Sequence, residues 1–295
     1  MKQVVKEDAL PLDDSFFNLS QEENEFFKDQ TGIATDEELK DHILRIQKKS
    51  YKVYPYPCIR RFDFLRLKIS KHPIYPTLLN LGKEGGVLLD IGCCFGNDIR
   101  KAISDGFPQE QIVGSDLRQE FWDLGRELFK TTPDKFHVPF ICGDIFDDHV
   151  LNIDDEDSLV PRPLPTLRDL RSLTPLKHRT EAIHAAAIFH LFDEEHQTLL
   201  ARRLASLLSF KEGSVIFGSH VGRPVKGLRT EAAGLGALGA KMFCHSDESW
   251  RSLWNDIFRE GTVKIDVTLD DMQRVDLRPK AGIKYYQLTW CITRL

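Results

Sequence analysis

Between Gly85 and His220, five short apolar runs, VLLDIG, QIVGSD, FHVPFICGD, EAIHAAAIFH and SVIFGSH, alternate with stretches of helical spacing. Short apolar runs, each followed by enough chain for a helix, are the pattern of a parallel sheet built from βα units with helices on both faces. Near the C-terminus, TVKIDVTLDDM and KYYQLTWCITRL alternate apolar and polar residues with period two, around a charged stretch holding Pro279 and Gly282. That alternation predicts an antiparallel pair closing the sheet, although periodicity alone fits two strands of any α/β domain.

Ahead of the sheet, residues 15–80 read as mainly helical. Asn18 or Ser20 is placed to cap EENEFFKDQTG, and Thr35 followed by Glu38 forms a capping-box pattern ahead of ELKDHILRIQKKSYKVY. Pro55 and Pro57 in YPYPC force extended backbone and end that helix. The expected organisation is a helical lid and substrate-binding addition over 1–80 and a core over 81–295, folding as one cooperative unit. Two connections are long for such a core: 150–180, with Asp154 to Asp157 followed by Pro161, Pro163 and Pro165, and 221–245, with GLGALG. The first reads as a surface or disordered loop and the second as a pocket-lining loop.

With 41% apolar and 29% charged residues in a chain of 295, the composition is that of a folded domain. The net charge of −5 leaves no surplus of cations to neutralise a phosphate backbone, so nucleic acid is not an expected partner. The basic run of Arg60, Arg61, Arg66 and Lys68 reads as a solvated helix face. The N-terminal residues contain no secretory-type apolar stretch, and no run of about 20 apolar residues appears, so the expected address is the cytosol, without a membrane partner. The six cysteines have no CxxC spacing, and neither a metal site nor a disulfide framework is expected. The oligomeric state, a homodimer included, is not legible.

Chemistry enters at the ends of the first three strands. Val87 to Asn97, VLLDIGCCFGN, is an apolar strand running into a turn with Gly92 and Gly96 and then a helix, whose free N–H groups suit a nucleotide-like ligand. A dinucleotide would set its pyrophosphate here and would be repelled by the carboxylate of Asp90. S-adenosylmethionine (SAM) brings an ammonium and a sulfonium instead, and Asp90 favours both. The second strand ends at Asp116, 26 residues further on, where a carboxylate can accept hydrogen bonds from both ribose hydroxyls, with Leu117 beside it. The third ends at Asp144, placed to accept from an adenine amine while Ile145 or Phe146 covers the ring. Any one of these acids reads equally well as a helix N-cap. Three at successive strand ends mark the carboxyl edge of an open sheet, where ligands bind.

DIGCCFG, GSD and GDIF resemble motifs I, II and III of the class I SAM-dependent methyltransferases. Cys94 departs from the family pattern, which often has a second glycine there. The resemblance implies a Rossmann-like, seven-stranded, mostly parallel sheet with one antiparallel strand near an edge. It also implies SAM as cofactor, held by Asp90, Gly92, Cys94, Gly96, Asp116, Leu117, Asp144, Ile145, Phe146 and Ala186. YPYPCIRRF, EAIHAAAIFHLF and HSDESWRSLW resemble segments of small fungal secondary-metabolism methyltransferases, among them carboxyl O-methyltransferases of meroterpenoid pathways. That narrower resemblance implies O-methylation of a small, largely apolar acceptor such as the carboxylate of a prenylated aromatic acid.

On the acceptor side, the fourth strand delivers Ala186, Ala187, Phe189 and His190 toward the methyl group, with His190 as the candidate catalytic side chain and a packed or capping histidine as the alternative. His184 reads as a core histidine. His220 and Arg223 lie at the carboxyl edge after the fifth strand, and Tyr51, Tyr54 and Tyr56 read either as lid aromatics over the acceptor or as packing for the helical addition. Methyl transfer from a sulfonium is a direct displacement that needs no metal, so the protein aligns the reactants and excludes water. A carboxylate arrives ionised, whereas a phenol needs a base. A phenol O-methyltransferase, a SAM-binding regulator or cyclase that transfers no methyl, and an NAD-dependent oxidoreductase are the competing readings.

Overall fold

Our computed structural model describes residues 10–154, 166–229, 242–272 and 284–295. The acidic and proline-rich stretch from 155 to 165 and the GLGALG sequence lie outside these residues.

The chain opens with two capped helices. In α1 (Gln21–Thr31) the hydroxyl of Ser20 accepts from the Glu23 N–H while the Glu23 carboxylate accepts from the Ser20 N–H. Thr35 caps α2 (Asp36–Val53). The buried positions of α2 include Leu39, Ile43, Ile46 and Ser50, one stripe at helical spacing, which lies against α6 (Gln119–Leu128). Pro55 and Pro57 then break the helix as expected from their missing N–H groups, leaving the short α3 (Pro57–Arg60). The helix ends at Arg60 and Phe62 takes a left-handed conformation at φ 60°, so Arg61, Arg66 and Lys68 do not continue a helix face. The charges of the basic run are tied locally instead: Arg60 donates to the Pro11 carbonyl, Arg61 pairs with Asp63, Arg66 pairs with buried Glu23, and Lys68 donates to the Asp63 carbonyl.

Beyond α4 (Tyr75–Lys83) comes the sheet. Its strands are β1 (Leu88–Ile91), β2 (Ile112–Asp116), β3 (Phe140–Cys142), β4 (Ala182–His184), β5 (Val215–Gly222), β8 (Val263–Met272) and β9 (Tyr285–Arg294), arranged β3-β2-β1-β4-β5-β9-β8. Strand β9 pairs antiparallel with both β5 and β8, and the other pairings are parallel. This is the seven-stranded Rossmann-like sheet with one reversed strand. A small hairpin of β6 (Gly227–Arg229) and β7 (Met242–Cys244) stands apart.

Alternate strand residues enter two cores. Leu89, Val113, Ile183, Ile216 and Trp290 join α7 (Glu194–Leu207) and α8 (Asp247–Asn255) on one face. Leu88, Ile112, Ala182, Val215 and Phe217 join α4 and α5 (Asn97–Ser104) on the other. A third cluster packs α1, α2 and the 54–67 segment against Phe95, Phe121 and Phe129. Among the described residues, no helix is long and apolar enough to cross a membrane.

The parallel register puts Asp90 of β1 directly beside His184 of β4. The two are 3% and 2% exposed, and the His184 Nδ1 lies 2.8 Å from Asp90 Oδ1. Burial opposes charging the ring, but the charge of Asp90 and its hydrogen bond outweigh this and lift His184 above its ordinary value. A group whose folded value is raised contributes stability below its unfolded pKa, about 6.5 for histidine, and loses it as pH rises through the folded value. Thermal denaturation should therefore show a melting temperature that declines above about pH 6.5, and His184→Gln should flatten that decline. An unchanged slope in the variant would mean that the pair carries no extra proton in the folded state.

Candidate active site

The turn between β1 and α5 is held in place from β2. The Gly92 and Cys93 N–H groups donate to the Ser115 carbonyl at 2.8 and 3.2 Å, and the Cys94 N–H donates to Asp116 Oδ2 at 2.9 Å. The second oxygen of Asp116 accepts from the Arg118 N–H at 3.1 Å. Burial lifts the pKa of Asp116 against these backbone donors, which favour the carboxylate. Gly92, Cys94 and Gly96 all have positive φ, at 73°, 51° and 72°. Cys94 thus occupies a conformation that favours glycine, and its N–H to Asp116 contact is what the turn obtains there. A Cβ on Gly96 would come within 2.8 Å of the Trp122 ring, so this position admits no side chain without displacing the indole.

These residues fit a SAM-like ligand. The turn brings backbone to the sheet edge, Asp116 stands beside it, and Leu117 immediately after is 39% exposed, an apolar face of the kind an adenosine covers. Asp144 is exposed and accepts from the Phe146 N–H at 3.0 Å, Ile145 is buried in the core, and Phe146 makes an edge contact with Phe192. Asp90 stands apart from these contacts: its carboxylate faces His184 inside the sheet.

The N-terminal segment reaches the same edge. Tyr54 and Tyr56 pack with ring centroids 4.3 Å apart, the Arg118 guanidinium lies 4.6 Å from the Tyr54 ring, and Tyr56 sits 5.9 Å from Phe121. Burial, followed by the charge of Asp116, pushes the Tyr56 hydroxyl up. Both rings thus stand on the Asp116 side of the site. Tyr51 lies further back and donates its hydroxyl to the Leu10 carbonyl at 2.7 Å. Phe64, 4.9 Å from Phe95, ties this segment to the glycine-containing turn.

The loop after β4 passes through Ala186 and Ala187, the latter at φ 55°, into a single turn at Phe189–Leu191. Phe189 is fully buried, edge-on to Trp250 and Trp290 and stacked 5.6 Å from His220. His190 is half-buried, its Nδ1 has no partner among the described residues, and its ring lies 6.5 Å from that of His220. Desolvation, then the charges of Arg229, Arg61 and Lys68, lower its pKa to about 4. His220 is 4% exposed and held far below its ordinary value by burial and by the neighbouring His190 and His245. Arg223, just after β5, donates to the Leu228 carbonyl of β6.

Four residues near this edge were not singled out as site residues from the sequence. His245, 3% exposed and beside Trp250, has its pKa lowered to about 4, chiefly by desolvation. It immediately precedes Ser246, the N-cap of α8, and the capping pattern HSDES was the available signal. Arg229, 9% exposed and 4.3 Å over the Tyr285 ring, has no local motif. Arg61 and Lys68 belong to the run read as a solvated face, and only the left-handed turn at Phe62 turns that segment toward the sheet.

A family described as the meroterpenoid methyltransferase N-terminal domain matches residues 14–65. The O-methyltransferase phiE of a fungal species (strain ATCC 74256) is 32% identical over 238 residues, 80% of this chain and 71% of that protein. The chain belongs to the meroterpenoid methyltransferase family. It is a SAM-dependent methyltransferase. Among its relatives, the asnovolin E/chermesin D methyltransferase nvfJ of Aspergillus novofumigatus is 30% identical over 258 residues, 87% of this chain and 83% of that one. Similar solved structures include the 1,6-didemethyltoxoflavin N1-methyltransferase of Burkholderia thailandensis with S-adenosylhomocysteine, 14% identical with a TM-score of 0.48, covering 88% of this chain and 91% of that one.

If Asp116 is the ribose contact of this methyltransferase, Asp116→Ala should weaken SAM and S-adenosylhomocysteine binding about 100-fold, the scale of lost hydrogen bonds to a charged group. Calorimetric titration of a variant whose circular dichroism matches the parent measures this. Unchanged affinity would remove Asp116 from the cofactor site.

Proposed function

We propose that this methyltransferase transfers the methyl group of SAM to a carboxylate oxygen of a small, largely apolar acid, a prenylated aromatic acid among them. The observation that carries this reading is the state of the imidazoles at the sheet edge. His190 and His245 are lowered to about 4 and His220 lies well below its ordinary value, while Arg61, Lys68 and Arg229 all bear on His190. A phenol, with a pKa near 10, would have to give its proton to an imidazole that burial has made a weaker base than usual, an uphill transfer. A carboxylate has no proton to give, and three cations favour its approach. The name of the Aspergillus novofumigatus relative, which specifies asnovolin E and chermesin D, supports a small-molecule acceptor.

Bound SAM supplies an electrophilic methyl on a cationic sulfur, and attack by the acid's oxygen turns the sulfonium into a neutral thioether. The chain's own contribution is alignment and exclusion of water. Asp116 and the Gly92–Gly96 turn hold the adenosine end, Tyr54 and Tyr56 cover that side, and His190 orients the acid.

Methyl-labelled SAM offered with prenyl-, geranyl- and farnesyl-substituted benzoic acids and with the matching phenols tests the reading. Label should appear in the acids as an ester that alkali releases; alkali-stable label in the phenols would overturn it. His190→Ala should lower the rate at saturating acid about 10- to 100-fold, the scale of a lost alignment, and an unchanged rate would reject its orienting role.

A further inference from the structure

The protonation geometry of His220 is fixed by its neighbour on the reversed strand. Register places His220 of β5 opposite Leu288 of β9, two residues from Trp290, and the Trp290 Nε1–H donates to His220 Nδ1 at 3.0 Å. An indole nitrogen only donates, so Nδ1 of His220 keeps its lone pair. The ring is buried and neutral. A neutral imidazole with a bare Nδ1 carries its proton on Nε2. That N–H is buried and has no partner among the described residues.

The ring's surroundings offer aromatic surface. Phe189 stacks on it at 5.6 Å, and Trp250 meets it at 4.7 Å and 64°. The Trp250 Nε1–H is itself buried without a partner among the described residues. Two rings in contact thus each carry a buried N–H with no partner among the described residues, and because an unmade buried donor is costly, the His220 N–H calls for an acceptor oxygen. Their place is the carboxyl edge of β5, next to His190.

We propose that His220 is a fixed hydrogen-bond donor, through Nε2–H, to an oxygen of the methyl acceptor, that Trp290 is the positioning residue that sets its tautomer, and that His220 takes up no proton during transfer. The identity of that oxygen as a carboxylate rests on the reading above; the donor role does not. With a carboxylate the step balances without a base. The methyl–sulfur bond breaks as the oxygen–methyl bond forms, the sulfonium keeps the electron pair as a thioether, and the anion becomes a neutral ester with no proton released. The donor then holds the acid by the oxygen that is not attacking.

Long-range proton–nitrogen correlation on full-length protein labelled with 15N-histidine reads the tautomer directly. His220 should show a neutral, Nε2-protonated ring throughout about pH 6 to 8, the range in which an ordinary histidine titrates. Adding farnesyl-substituted benzoate to the protein saturated with S-adenosylhomocysteine should move the Nε2–H resonance. Trp290→Phe should release Nδ1 and produce a mixture of tautomers. His220→Ala should raise the KM for the acid about 10- to 100-fold with SAM affinity unchanged, and His220→Gln, whose amide still donates, should recover much of it. If the alanine variant does not fold, Trp290→Phe keeps the test, because the mixed tautomer should raise the KM for the acid while SAM affinity stays unchanged.

An Nδ1-protonated or charged His220 in the parent protein overturns the proposal. So does a resonance that ignores the ligand but moves in His190→Ala, since the N–H would then be bonded to His190. If the phenols rather than the acids are methylated, the carboxylate reading fails alone. An Nε2–H resonance that moves on adding the farnesyl-substituted phenol then supports the donor role, and one that stays still overturns it.

Discussion

A carboxylate and an imidazole buried against each other where β1 meets β4 set the terms for the rest of the molecule. The strand order runs from β1 outward to β2 and β3, and the chain then returns to place β4 on the other side of β1. That is the switch point of an open sheet, where the loops of adjacent strands part and leave a crevice at the carboxyl edge. Asp90 and His184 are cross-strand neighbours at this seam. Each is intolerable alone at 2–3% exposure, and together they are tolerable only at the register observed. A slip of either strand would strand a charge in the core, so the pair ties the crevice to one geometry even though neither side chain reaches into it.

From that seam, order passes outward by short contacts. Ser115 and Asp116 at the end of β2 hold the β1–α5 turn through the backbone of Gly92, Cys93 and Cys94. Phe95 in the same turn packs on Phe64 and Phe121, and Phe121 on Tyr56. The aromatic row thus joins the glycine-containing turn to the N-terminal segment. The polar attachments, Asn97 to the Phe64 carbonyl and the Ile69 N–H to Asp98, lie at the base of that row, below the site.

Much of this was legible because it rests on local rules. The Ser20 and Thr35 caps, the prolines that end α2, the five apolar runs and the reversed final strand all follow from short-range chemistry that a sequence displays directly. Asp116 and Asp144 were readable as strand-end acids for the same reason. The engagement of Asp90 was not, because its partner lies 94 positions away and only the β1–β4 register makes them neighbours. Arg61 and Lys68 were misread for a different cause: one residue, Phe62, adopts a left-handed conformation with a bulky side chain, and no propensity rule predicts that. His245 was not singled out because HSDESWRSLW was read only as a whole segment, and the histidine beside it, His220, comes from another part of the chain. Composition spoke truly on net charge and still missed the local concentration of cations around His190.

The aromatic cage explains why this edge holds neutral imidazoles at all. Phe189 packs edge-to-face on Trp250 and Trp290, and Trp250 edge-to-face on Trp254, so that the turn after β4, α8 and β9 together wall off His220. Desolvation of this kind removes the positive charge from the rings while leaving their N–H groups as donors. The positive potential at His190 comes instead from Arg229, Arg61 and Lys68. Under the proposed function, charge and hydrogen bonding are assigned to different side chains: the cations would draw an anion in from a distance, and the neutral donors would orient it at contact. Such a division suits an acceptor that must arrive ionised and leave uncharged, because the short-range contacts do not depend on the charge that the reaction consumes.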